Sequence, residues 1–281
     1  RGLPMTSRTS RPLRLCLLGA TGRMGSLVAR EAEGAGFEVV GAVAGPGDPA
    51  IGRRLRDIGA GSGEARVSPP SSVAALLRKS DVCISFTNAK AEVSNLQAVV
   101  AAGVPYVTGT TGLTAEERRR MEAALSGRLP AVVASNFSVG ANLLIAMSAA
   151  LRSLPRGFDV SIVEAHHSGK ADAPSGTALS IAEAVSRARG YTRTVSGRTG
   201  ALKRSPDELE VVSLRGGGTP GIHTVHTFGP HEMITIEHVA FSRSGFALGA
   251  LHAAQWAAQE GREAKVYGMA DVLGLGTGLS A

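Results

Sequence analysis

The chain has 281 residues, enough for one large domain or two of ordinary size. Hydrophobic residues make up 43% of it, which is compatible with a sizeable core, and the formal net charge is +7. This charge is uneven, because residues 1–30 contain six arginines and no acidic residue while the remainder is close to neutral. A broad basic surface of the kind that binds nucleic acid is therefore not expected, and we predict no nucleic-acid partner.

Three stretches indicate the environment of the chain. Residues 129–151 carry no charge, but Pro130 and several polar residues interrupt them, so we predict a buried strand and helix and no membrane partner. Cys16 and Cys83 lie in apolar runs, which fits free thiols in a reducing compartment, and we expect a cytoplasmic protein. Residues 1–12 are rich in Arg, Ser and Thr; we interpret them as a flexible leader, with part of a transit peptide as the alternative.

The first half of the chain alternates between strand and helix patterns. Short apolar runs predict strands over 13–20, 37–43, 81–86, 105–109 and 131–135. Helix patterns lie over 22–34 and 89–103. A further helix is expected from Thr114, because Glu117 follows it at the spacing of a capping box. This alternation predicts an α/β domain over 13–137, with a parallel sheet and helices on both faces.

The pattern changes after about residue 138. Helices are predicted over 140–154, 175–189 and 246–259, and a strand over 160–166. Three β-rich stretches lie at 208–215, 221–228 and 231–240, and Gly229-Pro230 marks a turn between the last two. We predict an antiparallel meander here, and hence a second α+β domain over 138–246 built on a mainly antiparallel sheet.

One face of this second sheet is expected to favour self-association. In the stretch 208–215, alternation places Leu209 and Val211 on one face, and Val212 and Leu214 on the other. If the first face packs on the helices, the second leaves apolar side chains open, which monomers rarely do. Burial against the same sheet of another subunit would cover them.

A glycine-rich turn follows the first predicted strand: Gly19-Ala20-Thr21-Gly22-Arg23-Met24-Gly25. Its spacing is a variant of the dinucleotide fingerprint, in which glycines permit a tight turn and let backbone N–H groups approach a pyrophosphate. The triplet alone is also compatible with a purely structural turn. Its place between a strand and a helix of an alternating pattern favours nucleotide binding.

The acidic residue that usually ends the second strand and binds the ribose is absent. That strand runs into Val43-Ala44-Gly45-Pro46, Glu38 lies at its start, and Asp48 falls in the following loop. A 2′-phosphate would therefore meet no repelling carboxylate. Three arginines are candidate sources of positive charge for it: Arg23, Arg53 and Arg54. The sequence leaves both NADPH and NADH open as cofactors and slightly favours NADPH.

Two more polar loops each follow a predicted strand. They are Gly109-Thr110-Thr111-Gly112 and Ala134-Ser135-Asn136-Phe137-Ser138. In a parallel sheet, loops at the carboxyl ends of the strands line the ligand crevice. Each loop alone is equally compatible with an ordinary turn, but together with the glycine motif they are expected to surround one cofactor.

A second group of reactive side chains lies at the end of the strand predicted over 160–166. His166, His167 and Lys170 fall within five residues and together suit proton donation and anion binding. Ser175-Gly176-Thr177 follow a proline and open a helix, whose N–H groups and hydroxyls suit a substrate carboxylate. The alternatives are a metal site and polar residues with no chemical role. No nearby Cys or third His has ligand spacing, so no metal is expected.

Taken in order, these motifs resemble the dihydrodipicolinate reductase (4-hydroxy-tetrahydrodipicolinate reductase) family. The similarity rests on GATGRMG at 19–25, FT at 86–87, GTTG at 109–112, SNFSVGAN at 135–142 and EAHHSGKADAPSGTAL at 164–179. It extends from about Leu13 to DVLGL at 271–275. The family implies a Rossmann dinucleotide-binding domain, a second domain that binds substrate and builds a homotetramer, and a C-terminal segment, about 247–281, that returns to the first domain.

The resemblance also implies an activity and roles for individual residues. The activity is NAD(P)H-dependent reduction of 4-hydroxy-tetrahydrodipicolinate, a cyclic dicarboxylate, to tetrahydrodipicolinate on the diaminopimelate route to lysine. His166 would be the catalytic proton donor and acceptor, Lys170 a second proton donor, and His167, Gly176 and Thr177 substrate contacts. Cofactor binding is carried over to Gly19, Ala20, Thr21, Gly22, Arg23, Met24, Gly109, Thr110, Thr111, Ala134, Ser135, Asn136 and Phe137.

The sequence departs from the family pattern at two places. Ala44-Gly45 stand where the family usually has an acid or an acid–arginine pair, and Leu209-Glu210 where Ile-Gly is common. Two other functions fit parts of the sequence: another two-domain NAD(P)-dependent reductase, such as an aspartate dehydrogenase, and a non-catalytic nucleotide-binding regulator. The first lacks the His-His, Lys and Ser-Gly-Thr string, and the presence of His166 and Lys170 argues against the second.

Overall fold

The computed structural model describes residues 11–275, so the leader expected over 1–12 lies almost entirely outside the described residues. Strands β1 to β12 span, in chain order, Leu13–Leu18, Phe37–Val43, Val67–Ser68, Val82–Ser85, Tyr106–Thr108, Ala131–Val133, Asp159–His166, Arg193–Val195, Glu208–Arg215, Ile222–Phe228, Met233–Val239 and Val266–Tyr267. Helices α1 to α8 span Arg23–Ala32, Val73–Leu77, Ala89–Ala102, Ala115–Leu125, Val139–Ala149, Gly176–Arg189, Ser244–Ala257 and Met269–Val272. Within the described range, none of these helices has the length and apolar character needed to cross a membrane.

The chain divides into two compact units. The first runs to Ser135 and regains Phe246–Gly268, and the second contains Asn136–Gly245 and the segment from Met269 onward. The expectation that all of 247–281 returns to the first unit is therefore wrong for 269–275, because α8 packs on α5 of the second unit. Residues 276–281 lie outside the described range.

The first unit is built on a seven-stranded parallel sheet, as the strand–helix alternation predicts. Its order is β3-β2-β1-β4-β5-β6-β12. The first six strands have the 3-2-1-4-5-6 order of a doubly wound dinucleotide-binding fold, and β12 extends the sheet after α7. Buried Cys16, Leu18, Cys83 and Tyr106 contribute to its core. The loops at the carboxyl ends of these strands therefore lie along one edge of the sheet.

The helix after β5 begins where the capping box predicts. Thr114 Oγ1 accepts a hydrogen bond from the Glu117 backbone N–H at 3.1 Å, and Glu117 Oε2 accepts one from the Thr114 N–H at 2.8 Å. Two of the otherwise unpaired N–H groups at the helix start are satisfied in this way. The short GTTG loop is consequently held between the end of β5 and a fixed helix start.

The second unit contains a mixed five-stranded sheet, ordered β11-β10-β7-β9-β8. β10 pairs antiparallel with β7 and β11, but β9 pairs parallel with both β7 and β8. The predicted mainly antiparallel sheet is therefore only partly matched, since two of the four strand pairs formed by the described residues are antiparallel. The predicted three-stranded meander is wrong, although the β10–β11 hairpin at Gly229-Pro230 is present. The reason is that α6 and the long segment 196–207 provide crossovers, which allow parallel pairing.

The two faces of this sheet differ in what covers them. Val160, Ile162 and Val225 form one core with residues of α5 and α6, such as Leu144 and Ile181. On the opposite face, register places four apolar residues in one row across four strands: Leu214, Ala165, Ile222 and Val239. Leu214 is 52% exposed, as the alternation of 208–215 predicts.

Candidate active site

The glycine motif forms the turn between β1 and α1. Gly19 has φ of +81°, and a Cβ there would overlap the carbonyl oxygen of Phe86; a Cβ on Gly25 would overlap the carbonyl of Gly19. Only glycine therefore permits this tight turn and the close approach of α1 to it. Gly22 occupies the N-cap of α1 with no side-chain cap, so N–H groups of the first helical turn remain available to an anion.

Beside this turn the first unit contains a cavity of about 570 Å³. Its walls come from three segments: the turn with Gly19, Thr21 and Gly22, the end of β2 over 43–46, and the start of α3 with the loop before it, over 86–95. Pro70 completes the lining together with Leu18. The helix start, the glycine cradle and the end of β2 are the features that a Rossmann domain uses for the adenosine half of a dinucleotide, so the residues present fit that group.

The end of β2 lacks a carboxylate, and nearby acids do not replace it. Asp48 Oδ2 accepts a hydrogen bond from Thr21 Oγ1 at 2.7 Å, and its Oδ1 accepts one from the Ala50 N–H. These two hydrogen bonds lower the pKa of Asp48, and the one from Thr21 has the larger effect. Asp48 thus holds the glycine turn and does not line the cavity. A Cβ at Gly45 would meet nothing within 4 Å, so the cavity has room at this position.

The arginines suggested as partners of a 2′-phosphate do not line this cavity. Arg54 Nη1 lies 3.3 Å from Glu64 Oε2, and Arg53 Nη2 donates to the Asp57 carbonyl at 2.9 Å. Arg23 begins α1 and is exposed. Of the two other residues expected near the cofactor, Met24 is half-buried in α1, and Ala20 is fully buried in the turn.

The loops after β4 and β5 are joined by a buried carboxylate that the sequence analysis missed. Glu92 of α3 is 2% exposed and accepts hydrogen bonds from Ser85 Oγ at 2.6 Å, Thr87 Oγ1 at 3.0 Å and Thr110 Oγ1 at 2.8 Å. Tyr106 Oη donates to its other oxygen at 2.5 Å. The GTTG loop is thus tied to the Phe86–Thr87 loop, which lines the cavity. Gly109 lies against the Phe86 ring, and Thr111 is exposed.

The third predicted cofactor loop, 134–137, spans the boundary between the units. Ala134 and Ser135 belong to the first unit, and Asn136 and Phe137 to the second. Asn136 Nδ2 donates to Thr177 Oγ1 at 2.8 Å, which brings a residue expected to bind cofactor next to one expected to bind substrate. The Phe137 side chain is only 2% exposed and packs inside the protein.

In the second unit His166 ends β7, next to a fully buried acid. Its Nδ1 lies 2.5 Å from Oε2 of Glu164. Glu164 Oε1 accepts further hydrogen bonds from Arg215 Nη2 at 2.8 Å and from the Ser175 N–H at 3.2 Å. Burial raises the pKa of Glu164, but the hydrogen bonds from Arg215, Ser213 and His166 outweigh it and lower the pKa to about 2. Glu164 is therefore ionised and fixes Nδ1 of His166 as a donor.

The electrostatics around His166 act in both directions. Burial lowers the pKa of His166, Glu164 raises it, and the positive charges of Lys170 and Arg215 lower it again, so the net shift is downward. When protonated, such a histidine is a stronger acid than an exposed one. Gly221 is a close neighbour, because a Cβ there would lie 3.1 Å from His166 Nε2.

Two more histidines, unnoticed in the sequence, continue from His166 across the sheet. The rings of His166 and His223 meet edge to face at 5.2 Å, and those of His223 and His238 stack at 6.0 Å. His223 Nε2 lies 3.2 Å from Ser175 Oγ, the N-cap of α6, and His238 Nε2 lies 3.2 Å from Ser138 Oγ, the N-cap of α5. Burial, then repulsion from His166 and His238, lowers the pKa of His223 to about 4. A neutral His223 therefore holds the start of α6.

The remaining predicted residues surround the start of α6. Lys170 Nζ donates to both carboxylate oxygens of Asp172, at 2.7 and 2.8 Å, and its side chain is 21% exposed. Ser175 accepts from the Ala178 N–H, which leaves the N–H groups of Gly176 and Thr177 without a helical partner. His167 is half-buried beside Gly169. Within residues 11–275, no group of three or more His, Cys, Asp or Glu is arranged to hold a metal ion.

The functional residues missed from the sequence share one property. Glu92, Glu164, Arg215 and His223 each contact a side chain or backbone group that is distant in the sequence and is brought near by folding. Only Glu164 carried a local signal, since it lies two residues before His166 on one face of a strand.

Family and sequence comparisons match the chain over most of its length. The family model for the dihydrodipicolinate reductase N-terminus matches residues 13–137, and that for the C-terminus matches residues 140–273. A 4-hydroxy-tetrahydrodipicolinate reductase from Methanoculleus marisnigri is 39% identical over 266 residues, covering 94% of this chain and 100% of the relative. One from Myxococcus xanthus is 42% identical over 271 residues, covering 93% and 98%.

Solved structures are similar at the level of the fold. A dipicolinate-bound dihydrodipicolinate reductase from Paenisporosarcina sp. TG-14 has a TM-score of 0.70 at 22% identity, covering 92% of this chain and 97% of that one. An amine dehydrogenase from Mycobacterium smegmatis has a TM-score of 0.58 at 14% identity, covering 92% and 95%. Similarity at these identities shows a shared fold, on which function varies.

Proposed function

The chain belongs to the dihydrodipicolinate reductase family, and on that premise we propose how its residues perform the NAD(P)H-dependent reduction of 4-hydroxy-tetrahydrodipicolinate. This reaction is a step on the diaminopimelate route to lysine. The buried Glu164–His166 pair beside the Ser175-capped start of α6 is the observation that carries the proposal. In this proposal a proton donor and an anion site are neighbours in the second unit.

The first unit would hold the cofactor, which supplies the hydride when bound. N–H groups at the start of α1 would bind the pyrophosphate, and Gly19 and Gly22 would let it approach the backbone. Glu92 would keep the Thr87 and Thr110 hydroxyls in place along the edge of the sheet. On the strength of the family motifs, we assign cofactor binding also to the remaining residues of these loops: Ala20, Thr21, Arg23, Met24, Gly109, Thr111, Ala134, Ser135 and Asn136.

His166 would deliver the proton that reduction of the substrate ring requires. The Nδ1 N–H is committed to the ionised Glu164, so Nε2 is the atom that gives the proton up. A dicarboxylate bound nearby would favour the protonated histidine, which offsets the lowering of its pKa by burial. The same positive charge would stabilise the negative charge that develops on the ring.

Lys170 and the start of α6 would hold the two carboxylates. Lys170 is paired with Asp172, whose side chain is exposed, so a substrate carboxylate would compete with a partner that is easily released to water. The Gly176 and Thr177 N–H groups and the Thr177 hydroxyl form a second anion site. His167 would contact the substrate from the same loop, with Lys170 as a second proton donor.

The decisive experiment follows the oxidation of NADH and NADPH separately, at 340 nm, with substrate generated enzymatically in the same cuvette. Oxidation that depends on both the enzyme and the generated substrate supports the proposal. No substrate-dependent oxidation of either cofactor would contradict it and would favour a nucleotide-binding regulator. Oxidation with a different imine, or with a keto acid and ammonia, but not with this substrate would favour a different two-domain dehydrogenase.

Three finer points complete the proposal. We propose that NADPH is used at least as well as NADH, since no carboxylate lies at the end of β2. We propose a homotetramer formed through the uncovered face of the second sheet, because Leu214, Ile222 and Val239 form an apolar row there. We place the protein in the cytoplasm, which fits the free, buried thiols of Cys16 and Cys83.

A further inference from the structure

We infer that Lys90, at the start of α3, is the residue that binds the 2′-phosphate of NADPH. The inference rests on the proposed dinucleotide binding and adds to it a specificity-determining residue outside the β2 loop.

The first observation is the charge distribution in the cavity of the first unit. Among the described residues that line it, Lys90 alone carries a charge. The three arginines considered earlier do not line the cavity, and two of them already have partners. An anionic group bound in this cavity would therefore meet one cationic side chain among the described residues that line it.

The second observation is that the Lys90 ammonium group is uncommitted. Lys90 is exposed at the second position of α3, and within residues 11–275 no hydrogen bond or ion pair engages its side chain. The acids near this part of the fold are occupied, since Asp48 binds Thr21 and Ala50, and Glu92 binds four hydroxyl groups. A phosphate approaching Lys90 displaces no existing partner.

The third observation is the space opposite the end of β2. The ribose of a dinucleotide binds where this strand ends, and an acidic residue there selects the free 2′-hydroxyl. Here the strand ends in Ala44-Gly45-Pro46, and the space around a Cβ at Gly45 is empty. A 2′-phosphate can be accommodated there without repulsion, in the same cavity that Lys90 lines. Position in the first turn of α3 adds the positive end of a helix dipole to the charge of Lys90.

The test measures binding of two nucleotides to the full chain by calorimetry: 5′-AMP and adenosine 2′,5′-bisphosphate, which differ only in the 2′-phosphate. We expect Lys90→Met to weaken the bisphosphate about fivefold and to leave 5′-AMP within about twofold, as for one partly exposed ion pair. Lys90→Arg should retain the wild-type ratio. Lys79→Met is the matched control, an exposed lysine of the same unit that does not line the cavity. Raising the salt concentration from 0.05 to 0.5 M should reduce the effect of Lys90→Met, because salt screens exposed charges.

The outcomes separate the two proposals. If Lys90→Met binds the bisphosphate as wild type does, or weakens both nucleotides equally, Lys90 does not bind the 2′-phosphate, while dinucleotide binding stands. If wild type binds neither nucleotide, the cavity is not an adenosine site, and the proposed cofactor binding fails together with the inference.

Discussion

The carboxylate of Glu164 lies 2.5 Å from Nδ1 of His166, and the same carboxylate binds Arg215 and the backbone N–H of Ser175. One buried acid thus orients the proposed proton donor and the start of the helix proposed to bind the substrate. This shared contact explains how residues from β7, β9 and α6 keep a fixed geometry.

Replacing His166 by Gln is expected to lower turnover by roughly 10²–10⁴-fold, the usual contribution of a positioned acid–base group. Affinity for NADPH should hardly change, because the cavity lies in the first unit and His166 in the second. Steady-state kinetics and calorimetry check the two parts, with the exposed His252→Gln as control. Near-normal turnover of His166→Gln would remove this residue from the mechanism.

Replacing Glu164 by Gln should move the pH profile of kcat/KM to lower pH. The Glu164 charge raises the pKa of His166, so its loss lowers that pKa further, and fewer histidines are protonated at a given pH. As pH rises, the activity of the variant should therefore begin to decline at a lower pH than that of wild type. The profile is measured from pH 5 to 9 beside Glu183→Gln, which alters an exposed acid of α6. An unshifted profile would show that Glu164 does not govern this proton.

His223 should make the fold sensitive to mild acid. Its pKa is about 4 in the folded protein against an ordinary 6.5, so the folded state resists protonation. The stability is complete above pH 6.5 and is lost as pH falls from 6.5 towards 4. Between pH 7 and 4 the free energy of unfolding should fall in both proteins. The fall should be smaller in His223→Asn than in wild type by on the order of 3 kcal/mol. Urea unfolding at both pH values measures this, and equal losses in both proteins would contradict it.

Asp at position 45 should shift the cofactor preference towards NADH. A carboxylate there would bond the 2′-hydroxyl and repel a 2′-phosphate. Gly45 is the suitable position because its surroundings are open, whereas Ala44 is only 2% exposed and an Asp there would be buried. The ratio of kcat/KM for NADH and NADPH measures the effect, and Gly47→Asp in the same loop is the control. A strictly NADH-dependent wild type would show that another residue reads the ribose.

The uncovered face of the second sheet should mediate assembly. We expect light scattering at micromolar concentration to give the mass of four chains, and Leu214→Arg to give smaller species, because it places a charge in the apolar row. The control is Leu202→Arg, which changes an exposed leucine outside the sheet strands. A monomeric wild type would refute the packing argument, and a dimer would contradict the expected tetramer.

The sequence by itself determined the longer strands and helices and the plan of the first unit. Apolar runs, the capping box at Thr114 and the glycine spacing are local signals, because they depend on backbone geometry within a few residues. They were sufficient to predict a parallel sheet with a nucleotide-binding turn, and the order of the motifs was sufficient to identify the family.

Only the tertiary structure decided which strand lies beside which in the second unit, and which charges meet. The alternation of 208–215 is the same for parallel and antiparallel neighbours, so nothing local could show that β7 separates β9 from β10. The same limit applies to the sites. Glu164 and Arg215 are 51 residues apart, and Glu92 and Thr110 are 18 apart, so their pairing depends on the path of the chain and not on residue type. Burial lowers the pKa of His223, and the packing of the loop leaves open space around Gly45. Neither property can be predicted from the neighbouring residues in the sequence.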